Sequence, residues 1–149
     1  MEVILVTCAV IFSDKRVLCA LRSETMHLSG FWEFPGGKIE GKESPEDCLI
    51  REIREELAIS IRIISAMKSN EHSYTEGKVL RLMPFACTWE SGNIDLLEHE
   101  QVRWLTKEEL KSVKWAPADL PIVEDLIGNW NNIQEQLVDW EQRKIRYGC

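Results

Sequence analysis

Gly37-Lys38-Ile39-Glu40-Gly41-Lys42-Glu43-Ser44-Pro45-Glu46-Asp47-Cys48-Leu49-Ile50-Arg51-Glu52-Ile53-Arg54-Glu55-Glu56-Leu57-Ala58-Ile59 is a glycine-bearing loop that turns into a helix crowded with carboxylates. Ser44 is placed to cap the helix. Pro45 suits the first helical position, and Asp47 completes a capping-box pattern. Glu43, Glu46 and Asp47 lie toward the positive end of the helix dipole. The spacing predicts a helix to about Leu57 or Ala58. On a helical wheel Leu49, Ile50, Ile53 and Leu57 share one apolar face, while Glu52, Glu55 and Glu56 fill the neighbouring arc. Three carboxylates so close repel one another, and a hard divalent cation relieves that repulsion. A solvated acidic face is the plainer reading. Such faces usually interleave lysines, however, whereas here only Arg51 and Arg54 are near, with Arg51 set to pair with Glu55. The loop's glycines can expose a backbone carbonyl or amides to a metal–phosphate group.

Outward from this segment, the pattern is mixed. Residues 3–12 and 17–22 are apolar runs around the polar turn Ser13-Asp14-Lys15-Arg16, which predicts a hairpin. A loop from Ser23 to Gly30 carries His27. Residues 31–42 hold a proline and three glycines, and read as a short strand running into a shaped loop. Ser60–Ala66 is strand-like. Asn70–Thr75 and Lys78–Trp89 predict a second hairpin turning at Glu76-Gly77. Gln101–Leu105 reads as a short strand, Thr106 as the cap of a short helix, and Trp115–Pro121 as a loop. From Ile122 the pattern is helical with a break near Gly128, and Trp130, Ile133, Leu137 and Trp140 form a stripe. The class is α+β, in one domain over 1–149.

The chain has 149 residues, is 44% hydrophobic, and carries a net charge of −7. It can bury a real core, and the acidic balance argues against stable nucleic acid binding over its surface. The apolar N-terminal run is short and reads as a buried strand rather than a signal peptide. No run approaches the length needed to cross a bilayer, so no membrane association is expected. Cys8, Cys19, Cys48, Cys87 and Cys149 are odd in number and lack C-x-x-C spacing, which reads as reduced core thiols in a cytoplasmic protein.

The opening segment resembles the Nudix box, G-x5-E-x7-R-E-U-x-E-E-x-G-U with U aliphatic. Gly37, Glu43, Arg51, Glu52, Ile53, Glu55, Glu56 and Ile59 match it. Ala58 replaces the glycine that closes the family's helix in a left-handed turn, at a modest cost. Trp32-Glu33-Phe34-Pro35-Gly36-Gly37-Lys38-Ile39-Glu40 is similar to the lead-in of the MutT branch. Arg22, His27, Glu98 six residues before Trp104, and the Pro117-Ala118-Asp119 loop fit the same branch. The likeness covers residues 3 to about 127. It implies a mixed sheet sandwiched between helices (α/β/α). Residues 129–149 lie outside the likeness, and their apolar stripe reads as an extra C-terminal helix, packed on the domain or forming a dimer contact.

The resemblance implies water attack on a nucleoside triphosphate, releasing NMP and pyrophosphate, with Mg²⁺ as cofactor and Mn²⁺ as its substitute. The Gly37 carbonyl, Glu52, Glu55, Glu56 and Glu98 would hold the metal. Glu52 and Glu98 are both candidates for the general base. Arg51 would orient a glutamate by a bidentate pair, and Glu43 would brace the loop against Arg51 or the metal. Arg22, His27 and Lys38 would meet the substrate, Asp119 would read the base, and Phe34 could stack on it, although aromatics on strands more often belong to the core. Tyr74 and Phe85 are further aromatics that could stack. MutT enzymes preferring purines carry Asn where this chain has Asp119. An ionised Asp suits the amino group of cytosine, as in CTP or a modified dCTP, and a protonated one suits guanine, including 8-oxo-dGTP. Asp119 could instead simply cap the next helix. The expected role is sanitising the nucleotide pool, as a monomer or homodimer. The alternatives are another Nudix substrate, such as ADP-ribose or a dinucleoside polyphosphate, and a non-catalytic nucleotide sensor.

Overall fold

A computed structural model describes residues 2–147. The chain runs β1 (Glu2–Ser13), β2 (Arg16–Leu21), β3 (Trp32–Glu33), β4 (Gly36–Lys38), α1 (Pro45–Leu57), β5 (Ser60–Ala66), β6 (Asn70–Thr75), β7 (Lys78–Ser91), β8 (Gln101–Leu105), α2 (Leu120–Gly128) and α3 (Trp130–Tyr147). Two 3-10 turns, Glu108–Ser112 and Pro117–Asp119, link β8 to α2. The first hairpin turns on Asp14 and Lys15, both at positive φ, the geometry that lets a two-residue turn follow the strand twist. The second turns at Gly77, as its sequence predicts.

The eight strands form one sheet with the spine β3-β2-β1-β7-β5. β4 pairs with β1, β6 with β7, and β8 with β2. The central pairing is parallel: β1 lies beside β7 from Glu2↔Lys78 to Phe12↔Thr88. Every other strand pair in the sheet is antiparallel. β1 is buried on both faces over its second half, and its alternation sorts the core. Cys8, Val10 and Phe12 face Ile122, Val123 and Leu126 of α2 and Trp130, Ile133 and Leu137 of α3. Ala9 and Ile11 face Leu49, Ile53 and Leu57 of α1. Helices thus cover both faces of the sheet, the expected α/β/α sandwich.

α1 obeys its local signals. The Ser44 hydroxyl accepts from the Asp47 N–H at 3.1 Å, and Pro45 opens the helix. At the other end Ala58 takes φ 60° and ψ 25°, its N–H donating to the Arg54 carbonyl. An alanine therefore occupies the left-handed closing position. The next two segments depart from expectation. The segment after Thr106 is a 3-10 turn with no side-chain cap, and the Thr106 hydroxyl and N–H instead donate to Glu109. The loop expected over 115–121 already contains a 3-10 turn and the start of α2. Cys8, Cys19, Cys48 and Cys87 are free and buried, while Cys149 lies outside the described residues. Among the described residues no helix is long and apolar enough to cross a membrane.

Candidate active site

Arg51 is the hub of the acidic helix. Its Nε and Nη2 grip the two oxygens of Glu43 at 3.0 and 2.6 Å, a bidentate pair. Its Nη1 reaches Glu52 at 3.0 Å and Glu55 at 3.1 Å. Its Nη2 also donates to the Lys38 carbonyl. One guanidinium thus ties the glycine loop to three carboxylates. Glu43 is held down to about 2, chiefly by its hydrogen bond with Arg51. Glu52 is shifted the other way, because burial outweighs the pull of Arg51 and because Glu55 and Glu98 add negative charge.

Gly37 lies directly against Glu52. A Cβ there would stand 2.3–2.6 Å from the Glu52 carboxyl, so only glycine lets the two approach so closely. The Gly37 carbonyl accepts from the buried Thr7 hydroxyl at 3.3 Å, which fixes its direction from inside the core. Cys48, also buried, donates to the Lys38 carbonyl next to it.

A cleft of about 660 Å³ runs beside this segment. Its floor is the same-facing residues Ile4, Val6 and Cys8 of β1 and Leu80 and Leu82 of β7. Arg22, His27, Phe34, Gly37, Lys38, Glu56 and Asp119 all line it. Glu56 is buried, and its Oε2 has no hydrogen-bond partner. Burial, then the charges of Glu33, Glu98 and Glu52, push its carboxyl up to about 9. A buried oxygen without a partner, within reach of the charges of Glu33, Glu98 and Glu52, suits a hard divalent cation. Among the described residues no three acidic, imidazole or thiol groups form a closed metal cage. Glu52 and Glu55 are instead turned onto Arg51.

Asp119 is buried at the other part of the wall, and its Oδ2 accepts the Phe34 N–H at 2.8 Å. Burial, with the Glu33 charge, pushes it up to about 8. It stands at the start of α2 but its side chain makes no cap bond, so the simple capping role does not hold. Phe34 is 3% exposed and stacks on Trp115 at 4.6 Å, so its ring is packed into the core and its backbone serves the cleft. Phe85 belongs to the core beneath α1 and does not line the cleft. The Tyr74 side chain lies outside the described residues.

Arg22 points its guanidinium at Glu33 and at the His27 carbonyl, which anchors the 23–30 loop. His27 and Lys38 are exposed at the cleft. Glu98 is exposed in the irregular stretch between β7 and β8, yet near enough for its charge to raise Glu52 and Glu56. Sequence reasoning assigned no role to Thr7, Glu33 or His99. The Glu33 carboxylate is shared between Arg22 and the buried His99, whose Nε2 is 2.8 Å from its Oε2. His72, which carried no signal in the sequence, also lines the cleft.

The chain is similar to known proteins in sequence and in fold. A family model described as NUDIX domain matches residues 3–126. A CTP pyrophosphohydrolase of Escherichia coli is 34% identical over 124 residues, 83% of this chain and 91% of that protein. An 8-oxo-dGTP diphosphatase of Proteus vulgaris is 33% identical over 75 residues, half of this chain and 67% of that protein. The solution structure of a MutT protein from methicillin-resistant Staphylococcus aureus is 43% identical, with a TM-score of 0.71 over 87% of this chain and 99% of that one.

Proposed function

The chain belongs to the Nudix family of hydrolases acting on phosphorus-containing anhydrides, and on that footing we propose that it cleaves nucleoside triphosphates to a nucleoside monophosphate and pyrophosphate. The observation that carries this reading is the Arg51 hub: one guanidinium holds Glu43, Glu52 and Glu55, and Glu52 lies against Gly37, which lines a cleft shared with Glu56 and Asp119. Nudix hydrolases generally use divalent metal ions, and Mg²⁺ is the ion proposed here. Glu52, Glu55, Glu56, Glu98 and the Gly37 carbonyl would hold it. When bound, it neutralises phosphate charge and makes water a better nucleophile.

The rest is work for the chain itself. Arg51 orients Glu52 and Glu55. Glu52 or Glu98 takes the proton from the attacking water. Lys38, His27 and Arg22, the last paired with Glu33, line the cleft as the groups to meet a polyphosphate. Asp119 reads the base. With one oxygen filled by the Phe34 N–H, Oδ1 is the atom left for a ligand. Held neutral by burial, that carboxyl can donate to an acceptor edge such as that of guanine or 8-oxoguanine. Ionised, it accepts from cytosine N4. The two relatives, one named for CTP and one for 8-oxo-dGTP, frame the same pair of substrates.

The test is incubation with Mg²⁺ and a panel of NTPs, dNTPs, 8-oxo-dGTP, 5-methyl-dCTP and ADP-ribose, with products resolved by anion exchange. NMP and pyrophosphate from one triphosphate far above the others is the expected result. A folded protein that cleaves ADP-ribose alone, or nothing, overturns it. Glu56→Gln should lower turnover by about two orders of magnitude or more with the fold intact.

A further inference from the structure

Between β7 and β8 the chain crosses the C-terminal end of α1 without regular structure. Backbone bonds pin it there: the Asp95 and Leu97 N–H groups donate to the Leu57 and Glu56 carbonyls, and the Glu100 N–H to Leu21. Two neighbours in this stretch have opposite fates. Glu98 is exposed, and its charge reaches Glu52 and Glu56. The His99 imidazole is fully buried and bonded to Glu33, 66 positions earlier in the chain.

We propose that His99 is a positioning residue: by gripping Glu33 it fixes the loop that presents Glu98 to the active-site helix. This rests on the reading above that Glu98 takes part in the reaction. Glu33 is a firm anchor, because its other oxygen is held by Arg22 and both residues sit in the cleft wall. Packing alone does not account for the imidazole. Its Nδ1 is buried without a partner, and an unpaired buried nitrogen makes histidine a worse filler than an apolar side chain of similar size. The residue is suited to the one bond it makes.

The test is a kinetic cycle in the wild type, Glu98→Gln, His99→Leu, His99→Gln and the Glu98→Gln/His99→Leu double variant, with thermal melting of each. Leucine fills the pocket but cannot bond Glu33; glutamine can still donate to it. Glu98→Gln should lower kcat. His99→Leu should lower kcat about tenfold, move KM less than about threefold, and melt no lower than wild type. His99→Gln should recover most of the lost turnover. In the Glu98→Gln background, His99→Leu should cost less than about twofold, because the group it positions is already gone. The same loss in both backgrounds, or no rescue by His99→Gln, overturns the proposal. If His99→Leu does not fold, His99→Asn, whose donor is too short to reach Glu33, takes its place with the same expectations. Full turnover in Glu98→Gln removes the role of Glu98 itself, and that single variant shows it independently of His99.

Discussion

Gly36 and Gly37 stand side by side and would respond differently to a single added methyl. At Gly36 a Cβ would fall 2.0 Å from the Thr7 carbonyl oxygen, on the backbone of β1. At Gly37 it would fall against the Glu52 carboxyl, the end of a flexible side chain. Gly36→Ala should therefore damage the fold, by about 2 kcal/mol or more, read by urea denaturation. Gly37→Ala should melt close to wild type but displace Glu52 and cut turnover at least about tenfold. Asp119 carries the pH prediction. Its folded-state value of about 8 is above the ordinary unfolded value of about 3.9. Between those limits the folded chain binds the extra proton. Its contribution is thus fully present at low pH and is lost as pH rises through about 8. Asp119→Asn should flatten that part of the stability–pH curve. The same variant should also shift the kcat/KM ratios among bases, and unchanged ratios would remove Asp119 from base reading. Glu43, Glu52, Glu55, Glu56 and their hub Arg51 were legible because all lie within the 23 residues of one motif. The Glu33–His99 bond was not, because nothing local in Leu97-Glu98-His99-Glu100 marks a histidine that turns inward to a partner 66 positions away.

At the scale of the elements, α1 shows how far local chemistry reaches. Ser44, Pro45 and Asp47 announce the start of the helix, and the structure uses them as they read. Its end is the weak point, since Ala58 holds a left-handed conformation that disfavours any residue with a Cβ. Ala58→Gly should stabilise the protein by about 1 kcal/mol, with an unchanged reaction rate, measured by calorimetry beside a kinetic assay. The strands were readable from alternation and β-branching, and both hairpins from their turns. The parallel union of β1 with β7 was not. Side-chain patterning says that β1 is buried on both faces, but it carries no address for the strand that lies beside it. The short helix after Thr106 is present as a 3-10 turn, but its cap differs: Glu109 turns its carboxylate onto Thr106, so the hydroxyl that was expected to accept a cap bond becomes a donor.

At the scale of the whole molecule, α3 belongs to the core although the family match ends at residue 126. Trp130, Ile133 and Leu137 close the sheet face that α2 covers only in part, and Trp130 meets Phe12 edge-on at 5.7 Å. Trp130→Ala should cost about 3 kcal/mol by denaturant unfolding. A chain ending at Asn129 should expose Phe12 and Val123 and lose solubility. Of the stripe read in the sequence, Trp130, Ile133 and Leu137 face the core, while Trp140 is half-buried beside Arg62 and Lys144. The β1–β7 ladder has one more consequence, for the moment of synthesis. Partners in it are about 76 residues apart in the chain. A ribosome adding about 5–20 residues per second needs several seconds between delivering the first strand and its central neighbour. Throughout that interval the most apolar strand has only β2 and, once it is made, the three residues of β4 beside it, and its other edge waits open. The nascent chain is most exposed to misassociation then, and slower translation across residues 22–78 would lengthen the hazard.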